Sequence, residues 1–128
     1  MHFEVTKAAL LANYHTLVVK PLTPSLKEAK ELVRISENLN LYGAVEFHKR
    51  YDRANKMLHD LIQDGSLGTP LYSWVEYSQR KSIPTEFFSK WSNKTSILQY
   101  LGVHYIDLIR FVTKAKPIRV MAIGQKTW

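Results

Sequence analysis

The spacing of apolar residues along the chain predicts helices that alternate with short strands. Residues 2–12 carry apolar side chains at helical intervals, and residues 15–19 form a β-branched run typical of a buried parallel strand. A second helical pattern covers residues 25–39, and residues 41–48 again read as a strand. The segment from 15 to 48 has the length of a parallel strand–helix–strand crossover, which predicts a mixed α/β fold.

Two helix starts carry residues that favour capping. Ser25 is followed three residues later by Glu28, which is the spacing of a capping box. Asp52 precedes a helix predicted over residues 53–63, and we expect its side chain to cap that helix.

The second half of the chain continues the alternation with one irregular stretch. Residues 71–80 are rich in aromatic and β-branched residues and predict a long strand, whereas residues 81–96 are rich in loop formers. A helix is predicted from about residue 98 to 114. Residues 117–124 then predict a final strand.

The helix between residues 98 and 114 has two different faces. Its apolar stripe predicts burial, while Tyr100, His104, Asp107 and Phe111 share another side. Imidazole is the side chain best suited to move a proton near neutral pH, so this face is a candidate catalytic face. The alternative is a core histidine with no chemical role. Gly102 is costly inside a helix and predicts close packing against the backbone there.

Composition and charge exclude few functions. The chain has 128 residues, with 18 basic and 11 acidic side chains and a net charge of +7. The basic residues are scattered and form no recognition helix, so we expect no nucleic-acid partner. There are no cysteines, so a disulfide or thiolate metal site is excluded, and we predict no metal site. No targeting segment or apolar run of about 20 residues occurs, so we expect a cytoplasmic protein with no membrane partner.

Three segments together resemble the glucose–fructose oxidoreductase/inositol dehydrogenase (Gfo/Idh/MocA) family. Residues 17–23, which include Lys20-Pro21, are similar to the family's Glu-Lys-Pro segment at a strand end. Residues 45–52 with 65–70 resemble its crossing into the substrate domain, and residues 102–107 resemble its segment with a catalytic histidine. The family comprises nicotinamide-dependent oxidoreductases that act mainly on sugars and polyols.

The resemblance implies roles for the residues in these segments. Lys20 would hold the substrate hydroxyl near the nicotinamide and, with Pro21, contact the cofactor. His104 would be the general base that takes the hydroxyl proton. Tyr100 and Asp107 would support it, although Asp107 can equally pair with a basic residue one turn away.

Two further candidates follow the second predicted strand. His48 and Arg50 lie past its carboxyl end, where open α/β sheets bind ligands, which makes them candidates for substrate binding. A surface role is equally compatible with their sequence position.

Three departures from the family pattern are visible in the sequence. Val19 stands where the family usually has Glu before Lys-Pro, and Tyr100 stands where it often has Asp four residues before the histidine. The five glycines, at positions 43, 65, 68, 102 and 124, do not form the Gly-x-Gly-x-x-Gly turn that cradles the dinucleotide pyrophosphate. The implied cofactor is NAD or NADP, but we expect this chain to bind it weakly.

The resemblance also implies a domain organisation. Residues 1–50 would be the C-terminal remnant of a dinucleotide-binding domain, a partial Rossmann-like unit. Residues 51–128 would be part of a substrate and dimerisation domain with an open, mainly antiparallel sheet. The chain resembles the central fragment of a longer enzyme that transfers hydride between a sugar or polyol hydroxyl and NAD(P), and we expect the fragment alone to be weak or inactive. The alternative is a non-catalytic protein that self-associates through an exposed sheet face, as a homo-oligomer.

Overall fold

A parallel strand–helix–strand unit forms the first part of the molecule. The computed structural model describes residues 2–92 and 95–124, with the side chains of residues 91 and 92 left out. Helix α1 spans His2–Leu11, strand β1 Thr16–Val19, helix α2 Leu26–Asn38 and strand β2 Gly43–Glu46. The two strands pair in parallel, from Thr16 opposite Gly43 to Val19 opposite Glu46. The predicted crossover is therefore confirmed.

The two predicted caps have different outcomes. At the start of α2, the Ser25 hydroxyl accepts a hydrogen bond from the backbone N–H of Glu28, as predicted. Asp52 does precede helix α3, which spans Arg53–Gln63, but among the described residues its side chain makes no capping bond. The prediction of a side-chain cap is wrong because the carboxylate accepts instead from the side-chain amide of Asn55, at 3.4 Å.

Helical turns occupy much of the stretch that the sequence predicts as irregular. A 3₁₀ turn at His48–Tyr51 precedes α3. Within residues 81–96, a π-helical turn spans Ile83–Phe87 and the short helix α4 spans Ser89–Ser92. Residues 93 and 94 of that stretch lie outside the described residues. A second π-helical turn, Leu98–Gly102, leads directly into helix α5, Val103–Thr113. These last two elements together are the predicted helix around His104.

The core lies in two places. Helix α1 packs on α2 and β1, and Leu10 and Leu32 are buried between these elements. Helix α5 packs on α3 and on the 3₁₀ turn His48–Tyr51, with Val112 buried. The 3₁₀ turn follows β2 directly, so it connects the sheet to the packed pair α3 and α5.

The two later strand predictions are not met in this structure. Residues 71–80 and 117–124 run without strand pairing, and the sheet formed by the described residues has two strands, both parallel. The predicted antiparallel sheet is therefore absent from the part of the chain described. A strand needs a hydrogen-bonded neighbour, and neither segment has one there. Their apolar side chains are consequently exposed, 90% for Leu71 and 100% for Ile118.

Within residues 2–92 and 95–124, none of the helices has the length and apolar character needed to cross a bilayer.

Candidate functional site

Lys20 lies at the carboxyl end of β1, immediately after Val19. Its ammonium group donates a hydrogen bond to the backbone carbonyl of Tyr100 and lies 4.3 Å from the centre of the Tyr100 ring. Burial lowers the pKa of Lys20 below its ordinary value, and the carboxylate of Glu46 opposes this effect. The side chain is thus a cation held by a neutral carbonyl and an aromatic face.

His104 lies in the first turn of α5 and is 3% exposed. Its Nδ1 atom is buried and has no hydrogen-bond partner among the described residues. Burial lowers the pKa of His104, and the positive charge of Lys20 lowers it further. Lys20 is held at the carbonyl of Tyr100, four residues before His104, and the lowered pKa of His104 favours a neutral imidazole at neutral pH.

The close packing predicted at Gly102 is present just before this turn. A β-carbon at that position would lie 2.6 Å from Cδ1 of Leu98, inside normal contact distance. A glycine therefore lets the Leu98 side chain lie against the backbone of the turn that precedes His104.

His48 connects the buried imidazole to solvent. Its ring centre lies 4.5 Å from that of His104, at an angle of 61°, while the side chain itself is exposed. Nδ1 of His48 lies 3.0 Å from Oε1 of Glu46, the last residue of β2. The sequence reasoning missed Glu46; its signal was the two-residue spacing from His48, which places alternate residues of an extended chain on one side.

Arg50 and Asp107 form a two-pronged ion pair. Nε of Arg50 donates to Oδ2 of Asp107 at 2.7 Å, and Nη2 donates to Oδ1. This contact raises the pKa of Arg50. Asp107 thus pairs across the molecule rather than with a basic residue one turn away. Arg50 was predicted to bind substrate. In the structure, its two donor groups hold the 3₁₀ turn against α5.

Tyr100 forms part of the wall of a cavity of about 530 Å³. Neither Lys20 nor His104 lines that cavity, so Tyr100 stands between it and the Lys20 ammonium. Two other aromatic residues, Tyr77 and Phe88, line it as well. The sequence reasoning missed this cavity because its lining comes from the stretch predicted to be a strand and an irregular loop.

The comparisons with known proteins identify the family of the chain. The family model described as "GFO/IDH/MocA C-terminal domain" matches residues 55–128, more than half of the chain. The chain belongs to the GFO/IDH/MocA family. The α5 segment with His104 lies inside the matched region, whereas Lys20 and His48 lie before it.

Two relatives of the chain are a sugar reductase and an inositol dehydrogenase. The chain is 27% identical to 1,5-anhydro-D-fructose reductase from Ensifer adhaerens, over 97% of this chain and 38% of the relative. It is 29% identical to scyllo-inositol 2-dehydrogenase (NADP(+)) from Bacillus subtilis, over 84% of this chain and 30% of the relative. The matches therefore cover only 38% and 30% of the length of these two relatives.

A solved GFO/IDH/MocA structure shares the fold. An inositol dehydrogenase homologue from Azotobacter vinelandii, crystallised with NADH and myo-inositol, superposes with a TM-score of 0.79 at 25% identity. The match covers 88% of this chain and 30% of that one. The mixed α/β fold predicted from the sequence is thus confirmed at this level.

The residues present fit one end of a nicotinamide cofactor. An ammonium and a neutral imidazole at the carboxyl edge of a parallel sheet suit the reacting end, where a hydroxyl proton must be removed. The sequence contains no Gly-x-Gly-x-x-Gly turn of the kind that binds the pyrophosphate end of the cofactor. Among the described residues, no group of three His, Asp or Glu side chains is arranged to hold a metal ion.

Proposed function

We propose that this chain supplies the substrate-side, proton-transferring part of an oxidoreductase that acts on a sugar or polyol with NAD or NADP. The observation that carries the proposal is that the Lys20 ammonium is held at the backbone carbonyl of Tyr100, four residues before the buried, unpartnered imidazole of His104. An unpaired buried nitrogen costs stability, which is expected where the group serves a reaction.

Each residue has a separate part in the proposed chemistry. His104 accepts the hydroxyl proton of the substrate, since its lowered pKa keeps the imidazole neutral near pH 7. Lys20 stabilises the negative charge that develops on the same oxygen. A bound nicotinamide would supply the hydride acceptor for the carbon that carries this oxygen.

The proton then needs a way out of the buried site. His48 touches the His104 ring on one side and solvent on the other, and its Nδ1 is held by Glu46. We assign His48 as the group that passes the proton from His104 to water. Arg50 supports this arrangement through Asp107, because the pair holds the 3₁₀ turn that begins at His48.

The proposal includes the domain division expected from the sequence. Residues 1–50 would belong to the dinucleotide-binding side and residues 51–128 to the substrate side. The reacting groups come from both, Lys20 from the first and His104 from the second. A substrate bound between them would contact both parts.

The proposed reaction can be tested in a chimera. Residues 2–124 would replace the aligned third of the inositol dehydrogenase homologue from Azotobacter vinelandii, which then supplies the dinucleotide site. We expect polyol-dependent reduction of the nicotinamide, followed by absorbance. Lys20→Met and His104→Asn should each lower kcat by about 100-fold or more, the usual contribution of acid–base catalysis.

Matched variants separate chemistry from folding. Lys27→Met and His15→Asn change the same residue types at exposed positions and should leave kcat within about twofold. A chimera that folds, binds NAD(P) and shows no polyol-dependent reduction would contradict the proposal. Unchanged turnover in His104→Asn would remove His104 from the mechanism.

One observation favours self-association as a second function. The unpaired segments 71–80 and 117–124 expose large apolar side chains, which soluble monomers rarely leave uncovered in groups. We infer that a second copy covers them in a homo-oligomer. Sedimentation velocity at micromolar concentration should show a dimer or larger species, and Trp74→Lys with Ile118→Lys should shift it to monomer. A stable monomer of the unmodified chain would refute this inference.

A further inference from the structure

The cavity beside Tyr100 carries a buried polar atom with no partner. Oε1 of Gln79 is buried and accepts no hydrogen bond from any described residue. Gln79 lines the cavity, so the natural donor is a group that enters it. A buried acceptor left unpaired is unfavourable, and a ligand hydroxyl would satisfy it.

The remaining lining suits the carbon skeleton of a sugar. Tyr77, Phe88 and Tyr100 provide aromatic surface, and the volume of about 530 Å³ lies within the range of small-molecule sites. Tyr100 also holds the Lys20 ammonium through its carbonyl and ring face. A polyol placed in this cavity would therefore contact Tyr100, the residue that also holds Lys20.

The charges around the cavity favour an anion. Arg80 lines it and forms no ion pair with any residue that the structure describes. None of the described residues that line the cavity is Asp or Glu.

We propose that this cavity binds a sugar or polyol that carries an acidic group, a carboxylate or a phosphate, with Arg80 as its partner. A hydroxyl of the same molecule donates to Oε1 of Gln79. Arg80 is here a specificity residue, since it contacts the acidic group and not the reacting carbon. This inference rests on the proposed function for its substrate class, but the binding itself can be measured without any reaction.

The test is a calorimetric titration of the chain at constant ionic strength. D-glucuronate and D-glucose 6-phosphate are the acidic probes, and D-glucose is the neutral one. We expect each acid to bind at least about tenfold more tightly than D-glucose, because a charge-assisted hydrogen bond to guanidinium is added. If one acid alone shows the preference, that result identifies the acidic group and supports the proposal.

Two variants make the result specific to this cavity. Arg80→Gln should remove the tenfold preference and leave the affinity for D-glucose unchanged, whereas Lys27→Gln, on the exposed face of α2, should retain the preference. Equal affinities for the acids and D-glucose would overturn the inference. Inorganic phosphate that binds as tightly as D-glucose 6-phosphate would also overturn it, because the sugar would then contribute nothing.

The experiments distinguish a failure of this acidic-ligand inference from a failure of the proposed oxidoreductase function. An active chimera combined with equal binding of acids and D-glucose would refute only the acidic substrate class. An inactive chimera combined with a preference for acids that depends on Arg80 would refute the oxidoreductase reaction and leave the binding site in place.

Discussion

Arg50 and Asp107 form an ion pair, and we expect substitution of one partner to destabilise the fold more than substitution of the other. The Arg50 side chain is 39% exposed, whereas that of Asp107 is 13% exposed. Arg50→Gln therefore leaves a carboxylate that water reaches poorly, and we expect it to lower the free energy of unfolding by about 2–3 kcal/mol. Asp107→Asn leaves a guanidinium that can still be hydrated, and should cost about 1 kcal/mol.

Urea denaturation followed by circular dichroism measures both values, and an unchanged m-value confirms that the folded and unfolded states stay comparable. The double variant Arg50→Gln/Asp107→Asn should recover part of the Arg50→Gln loss, since it leaves no unpaired charge. The reasoning is refuted if Asp107→Asn costs as much as Arg50→Gln, or if the double variant loses the sum of the two.

Two more predictions follow from burial and charge. The lowered pKa of His104 means that the unfolded chain binds more protons just below the ordinary value of 6.5, so stability should fall as pH drops through that value. The slope is up to about 1.4 kcal/mol per pH unit, and thermal melts of His104→Asn should show a flatter profile; an equal slope in both proteins would contradict the assignment. In the core, Leu32→Ala should cost about 2–4 kcal/mol in urea denaturation, because its side chain is 3% exposed. Leu26→Ala, at 72% exposure, should cost less than about 0.5 kcal/mol, and similar losses for both would contradict the packing described.

The first half of the fold could be predicted from the sequence because its signals are local. The β-branched run at residues 15–19, the cap at Ser25 and the helical spacing up to residue 39 each act within a few residues. The parallel pairing then follows from the crossover length. The same local reasoning predicted strands at 71–80 and 117–124, but strand pairing depends on a neighbour that the segment itself does not specify.

The candidate site was predictable only in part for the same reason. Helical spacing placed His104 and Asp107 on one side of a helix. The family resemblance identified Lys20 as a candidate site residue. The contact between Arg50 and Asp107 joins residues 57 positions apart, and no local pattern indicates it. Arg80 is one of the scattered basic residues of the sequence, and the cavity beside it arises only once the later turns have folded.

The most direct test of the account is a pH titration of the His104 imidazole by nitrogen-detected NMR, in the unmodified chain and in Lys20→Met. We expect His104 to be neutral at pH 7 in the unmodified chain, with a pKa below 6.5. Its pKa should rise in Lys20→Met, because the variant removes a positive charge that disfavours the protonated ring. An identical titration of His104 in the two proteins would contradict the claim that these groups share one site.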